Sequence, residues 1–458
     1  MNRALAAEIR ELVAEDLAGP MATGLAGDHR REFARQRIFV HLDRIAHHEE
    51  RDLPGSAQEE QRLAQAVLDA LFGMGGLQAL IDDPSIENID INGCDRVWVT
   101  GADGSKRLMP PVAESDDEVI EMVRTAATRF GLAERRFDLA RPEVDLRLPD
   151  GSRLSAVMAV TARPAVSIRR HRFTALTLAD LVDLGTITDE IAGLLIAAVR
   201  ARKNIVVSGA MNSGKTTLLR ALAAEVPARE RIVTIEQALE LGLDADVVRH
   251  PDIVALEARP ANVEGEGTIT VSDLVRRALR MNADRVIVGE VLGDEVLPML
   301  NAMSQGRSGS MCTIHADSSA GVFRRIASYA VQAPERLPLE ASNLLIAGAL
   351  HFVVHLDSET YDGPVDDPRP VDAPDPVPSD HSSDGPAYFP AVLARRRFVS
   401  SIREVVDAEG VQVISNEVYR PGPDRRARPA SPLRHTTVEE LRAFGLSLPQ
   451  PDPLGISA

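Results

Sequence analysis

The stretch 204–219 reads NIVVSGAMNSGKTTLL, and the fold is read outward from it. Ile205, Val206 and Val207 form a short β-branched run, as expected of a buried strand. Gly209, Ala210, Met211, Asn212, Ser213, Gly214, Lys215 and Thr216 follow in the pattern G-x-x-x-x-G-K-[ST]. Thr217, Leu218, Leu219 and Leu222 then take up helical spacing. Strand, glycine-rich loop and helix in that order are the context a phosphate-binding loop requires. The glycines let the backbone turn tightly and present its N–H groups to phosphate oxygens, and the helix adds the positive end of its dipole. Lys215 is placed to reach the β- and γ-phosphates, and Thr216 to offer a hydroxyl to Mg²⁺. The chain has only three lysines, Lys106, Lys203 and Lys215. Arginine replaces lysine nearly everywhere else, so the ammonium kept here fits a cradle that a guanidinium fork would not fill in the same way.

The series continues on the C-terminal side as alternating strands and helices. Strands are expected at 231–236, 253–257, 285–288 and 311–315, with helices at 272–281, 294–303 and 319–332. That alternation predicts an α/β domain over 178–356 with a largely parallel sheet and helices on both faces. On the N-terminal side, 77–173 reads as a separate α+β domain of hairpins and one helix, with a linker at 174–177. Residues 1–76 read as a module of three amphipathic helices, the third opened by the capping box Ser56/Glu59. Residues 357–391 hold nine acidic residues and eight prolines. That composition predicts a disordered insert. A β-hairpin is expected over 392–420 and a mostly disordered tail over 421–458, with one short helix after Thr437.

Hydrolysis needs a carboxylate beside the cradle. Glu290 closes the apolar run Val286-Ile287-Val288, one strand–helix unit after the phosphate loop, at the strand end where ligands bind in such sheets. Glu236 and Glu240 flank the end of another strand and are candidates for activating water or supporting the metal. His315 ends a fourth strand and is a candidate sensor of the γ-phosphate. Thr216 and Glu290 are the candidate Mg²⁺ contacts. Spacing does not assign an arginine finger among Arg169, Arg170, Arg259, Arg280 and Arg307.

The formal net charge of −17 argues against broad nucleic-acid or anionic-membrane binding by bulk electrostatics. Cys94 and Cys312 offer neither a disulfide framework nor a Cys₄ zinc site. The acidic, unapolar start of the chain does not read as a signal peptide, and the apolar run 344–356 is too short to span a bilayer. A soluble cytoplasmic protein, associated with the membrane only through partners, is the expectation.

These motifs resemble the secretion-type traffic ATPases of type II and type IV secretion and pilus assembly, with the CpaF-like branch of Flp/Tad pili nearest. The resemblance rests on DPSIENIDINGCDRVWV at 83–99, RPAVSIRR at 163–170, the phosphate loop, RIVTIEQALEL at 231–241, LEARPANVEGEGTITVSDLVRRALRMNADRVIVGE at 256–290 and MCTIHADSS at 311–319. It implies a homohexameric ring, a PAS-like domain ahead of a RecA-like domain, and ATP with Mg²⁺ as cofactors. It also implies multi-spanning inner-membrane platform proteins as partners, with no sequence-specific nucleic acid and no direct membrane insertion. It maps an acidic box onto Glu236 and Glu240, a Walker B glutamate onto Glu290 and a His box onto His315. Arg169, Arg170 and Arg259 become phosphate contacts, some of them in trans. Departures stand at Leu292, Arg307 and Met211-Asn212. The alternatives are the ATPase of a conjugative DNA-transfer system, or a ring that binds nucleotide without turnover.

Overall fold

The computed structural model describes residues 3–48, 56–101, 105–130, 136–170, 176–259, 261–262, 265–304, 308–361 and 394–447. Arg307, part of the expected linker, most of the acidic insert and the end of the tail lie outside these residues. The described residues through 170 form one compact unit and those from 176 on a second.

In the first unit, α1 (Arg3–Ala18), α2 (Gly27–His48) and α3 (Ala57–Phe72) bury Ile9, Val13, Ile38, Leu63 and Leu68 between them. The heptad-like spacing of these apolar residues gives each helix one buried face. Ser56 caps α3 by accepting from the Glu59 amide at 3.3 Å. A short α4 (Gln78–Asp82) leads to β1 (Ile86–Asn92), β2 (Val97–Gly101), β3 (Lys106–Met109), α5 (Asp116–Phe130), β4 (Glu143–Arg147), β5 (Arg153–Val157) and β6 (Ala165–Arg169). The six strands make an antiparallel sheet in the order β3-β2-β1-β6-β5-β4. Ile89, Ile91, Leu154 and Ile168 point to one side of it, where Val119 and Val123 of α5 cover them.

The second unit opens with α6 (Leu178–Asp183) and α7 (Asp189–Arg200). β7 (Ile205–Gly209), α8 (Lys215–Ala223), β8 (Ile232–Glu236), β9 (Ile253–Glu257), α9 (Val271–Ala278), β10 (Arg285–Val291), α10 (Val296–Ser304), β11 (Met311–His315), α11 (Gly321–Gln332), α12 (Leu339–Ala349) and β12 (Phe352–Tyr361) follow. The chain closes with β13 (Ala394–Glu409), β14 (Gln412–Pro421), β15 (Ala427–Pro429) and α13 (His435–Arg442). One nine-stranded sheet holds all of these strands, in the order β15-β14-β13-β12-β7-β11-β10-β8-β9. From β12 to β9 the pairing is parallel, and β13 to β15 add antiparallel strands.

β7 is sandwiched on both faces. Ile205 and Val207 pack with α7 and α8, while Val206 packs on the side of α9 to α12. This is why its sequence is continuously apolar rather than alternating. The hairpin expected over 392–420 is present as β13 and β14, and β13 also pairs with β12 over ten residues from Phe352 to Tyr361. Other expectations are corrected here. The tail is ordered through 447: β15 extends the sheet, and Leu441 of α13 is buried in the same core as α7. Leu433, Leu441 and Leu446 supply the apolar area that the surrounding Pro/Arg-rich composition obscured. Residues 357–361, expected to open the insert, are strand.

Buried polar groups fix the base of the sheet. The Asn204 side chain is fully buried and donates to the Met303 carbonyl at 2.9 Å and the Ala349 carbonyl at 2.6 Å. Its oxygen accepts from the Gly309 and Ser310 amides at 2.8 and 3.0 Å. Arg285, also fully buried, forms a two-pronged pair with Glu230 at 2.7 and 3.3 Å. No single described helix is long and apolar enough to cross a membrane.

Candidate active site

The loop between β7 and α8 is shaped by its backbone. Gly209 has φ 155°, and a Cβ there would lie 2.5 Å from both the Leu356 carbonyl oxygen and Ser213 Oγ. Only glycine fits so close to the neighbouring strand. Gly214 has φ 94° and Asn212 φ 61°, both left-handed, with asparagine among the few side chains that tolerate it. Met211 and Asn212 form the exposed crown, while Ser213 and Lys215 are buried beneath it.

Lys215 begins α8 and folds its ammonium back under the loop. Nζ donates to the Ala210 carbonyl at 2.9 Å and to His315 Nδ1 at 3.2 Å. Burial pulls its pKa below the ordinary lysine value, and the charge of Glu290 acts the other way. His315 ends β11 directly opposite Gly209 in the register of β11 and β7. Its Nε2 lies 2.7 Å from Glu290 Oε1. The neutral tautomer with the proton on Nε2 satisfies both contacts, accepting from the lysine and donating to the carboxylate.

Glu290 sits at a β-bulge. The β10–β11 register runs Val288 to Cys312 and then Val291 to Ile314, so β10 carries one extra residue there. Such a bulge re-aims a side chain near a site. Gly289 has a second role in it. A Cβ at Gly289 would lie 2.9 Å from Cγ of Glu236, so its absence lets Glu236 cross from β8. Glu236 is buried and accepts from the amides of Glu240 and Leu241 at 2.9 and 2.8 Å. Burial pushes its pKa up to about 7, against those hydrogen bonds and with help from the Glu240 charge. The Glu240 carbonyl accepts from Arg220 of α8.

His315, Glu290 and Glu236 thus come from the C-terminal ends of β11, β10 and β8, and Lys215 from the N-terminus of α8 that follows β7, in the spatial order β7-β11-β10-β8. The placement of Glu290 one unit after the loop is corrected: β8 and β9 intervene in sequence and β11 in space. His315 bridges that gap. Arg259 lies in the same unit but folds onto its own β-bridge, with Nε donating to the Gly267 carbonyl at 2.9 Å. Arg169 and Arg170 belong to the first unit, where Arg170 donates to the Asp83 carbonyl. One contact escaped the sequence reading. Arg397 of β13 donates from Nε to the Asn212 carbonyl at 3.0 Å, across 185 positions of sequence. Its only signal is the run Arg395-Arg396-Arg397 at the start of a strand.

The donors present fit a nucleoside triphosphate. Ser213 Oγ is buried and has no hydrogen-bond partner among the described residues. Close to it in sequence are the Lys215 ammonium and the first-turn N–H groups of α8, three kinds of donor within one loop and helix start. A metal has fewer donors. Among the described residues no trio of His, Cys, Asp or Glu stands ready to hold one unaided. The Thr216 hydroxyl and the Glu290 carboxylate suit Mg²⁺, which takes its remaining ligands from phosphates and water.

The sequence profile of the family described as "Type II/IV secretion system protein" matches residues 72–388. A Mycobacterium tuberculosis (strain H37Rv) protein named for conjugal transfer is 37% identical over 295 residues, covering 62% of this chain and 80% of its own. The type IV secretion system protein VirB11 of Brucella suis is 29% identical over 320 residues, covering 64% of this chain and 86% of its own. The solved structure of the Brucella suis VirB11 ATPase, in complex with sulphate, aligns at a TM-score of 0.33 and 26% identity over 66% of this chain and 94% of that one.

Proposed function

This chain belongs to the type II/IV secretion system protein family and is an ATP hydrolase, and on that premise we propose that it is the motor of a conjugative or type IV secretion apparatus. The observation that carries the reading is the buried Lys215 ammonium, held by the Ala210 carbonyl and by a histidine whose other nitrogen meets Glu290. A buried cation beside a helix N-terminus and an orphaned serine hydroxyl calls for a polyanion. Lys215, the loop amides and Thr216 bind and orient the phosphates. Thr216 and Glu290 would hold Mg²⁺, which would offset the phosphate charge. Glu236, half-ionised near neutral pH, is placed to hold a proton drawn from water, and Glu290 and His315 orient the γ-phosphate side. A homohexamer working on a membrane-embedded platform completes the proposal.

The conjugal-transfer and type IV secretion names of the relatives favour the conjugation alternative over the Flp/Tad branch. The test is phosphate release by the purified chain with Mg-ATP. Turnover that falls at least a hundredfold in Lys215→Ala supports the reading, and equal turnover refutes it. Deleting the gene in its host then separates the two settings. Loss of DNA transfer supports conjugation, and loss of surface pili with transfer intact supports the pilus branch.

A further inference from the structure

We propose that Arg397 is a positioning residue of the phosphate cradle, supplied from outside the loop by the antiparallel extension of the sheet. The proposal rests on the ATPase reading of that loop. The crown of the loop has little packing to hold it: Met211 and Asn212 are exposed, and Asn212 and Gly214 are both left-handed. Arg397 makes one hydrogen bond to it and occupies the space a side chain on Gly214 would need. Its Nε donates to the Asn212 carbonyl at 3.0 Å, and its Cδ lies 3.2 Å from where a Cβ on Gly214 would be. The described peptide bonds contain no cis isomer, so the Ser213 N–H points away from the Asn212 carbonyl. Holding that carbonyl outward therefore turns the Ser213 N–H inward. There it meets only a long 3.3 Å bond to the Ala210 carbonyl, which a phosphate oxygen can replace.

The strand ladder fixes where Arg397 sits. β13 pairs Arg397 with Ser358 and Phe398 with Asp357, and β12 pairs Leu356 with Gly209. Arg397 therefore lies just beyond the end of β7. The next residue, Phe398, is buried, with the Arg426 guanidinium 5.1 Å from its ring centre. This anchor holds the strand start while the Arg397 side chain stays exposed over the loop.

The experiment measures KM and kcat for ATP, and Kd for ADP, in Arg397→Ala and Arg397→Lys, with thermal melts as the folding check. Expected for Arg397→Ala is about a tenfold rise in KM and in the ADP Kd, worth about 1.4 kcal/mol, with kcat within about twofold. Arg397→Lys keeps the charge but not the Nε donor, so it should recover only part of the loss. Unchanged KM and Kd in the alanine variant would overturn the proposal, as would full recovery by lysine. If the alanine variant does not fold, the lysine variant decides alone: raised KM and Kd support the proposal, and unchanged values overturn it. ADP binding by the unsubstituted chain with no effect of either substitution sinks this inference but leaves the ATPase reading standing. No binding by the unsubstituted chain sinks both.

Discussion

Replacing Glu236 by glutamine should make the protein more stable and less active, and the stability gain should depend on pH. Glu236 is buried at the end of β8, and burial raises its pKa from the ordinary 4.5 to about 7. Below pH 4.5 the carboxyl is protonated in both folded and unfolded chains, so burial carries no charge cost. Between 4.5 and 7 the unfolded chain releases the proton while the folded chain keeps it, and stability falls as pH rises. Above pH 7 the cost levels off at about 3 kcal/mol. Glutamine keeps an oxygen for the Glu240 and Leu241 amides but has no charge to bury. At pH 8 the melting point of Glu236→Gln should therefore exceed that of the unsubstituted protein by about 5 °C or more. At pH 5 the two should nearly coincide. Phosphate release should fall sharply at pH 8, where the ionised carboxylate can take a proton that the amide cannot, and the contrast should shrink at pH 5, where Glu236 is already protonated. Calorimetry at pH 5 and pH 8 measures the first effect. A gap of equal size at both pH values, or a destabilised variant at pH 8, would refute the burial argument.

Two further outcomes follow from the same geometry. Gly209→Ala puts a methyl 2.5 Å from the Leu356 carbonyl oxygen, so the loop must move; isothermal titration should show ADP binding lost while the far-ultraviolet circular dichroism spectrum is kept. Glu230→Ala leaves the fully buried Arg285 without its carboxylate, which should cost about 3–5 kcal/mol in a urea melt, whereas breaking an exposed pair such as Arg428–Asp424 should leave the midpoint nearly unchanged.

The phosphate loop was legible because its chemistry is local. Glycines, lysine and helix start lie within a dozen residues, and each has a backbone reason to be there. The strand ends bearing Glu290, Glu236 and His315 were legible as types of position, through apolar runs closed by a polar residue. Their order in the sheet was not. Nothing local says that β11 enters between β7 and β10, or that Gly289 is small so that Glu236 can cross beneath it. Asn204 went unnoticed for the same reason: its partners sit 99 to 147 positions away. Arg397 stood in a run of arginines that composition alone assigns to solvent. The tail's composition points to disorder because proline and arginine surround Leu433, Leu441 and Leu446, which are spaced to reach the core.

On binding nucleotide, Lys215 exchanges its present partners for a phosphate. A structure determined with Mg²⁺ and a non-hydrolysable ATP analogue tests it most directly. The terminal phosphates should lie against the 213–217 amides, with Nζ of Lys215 moved off the Ala210 carbonyl and His315 onto phosphate oxygen. An analogue bound elsewhere, or a lysine still holding both of those contacts, would contradict it.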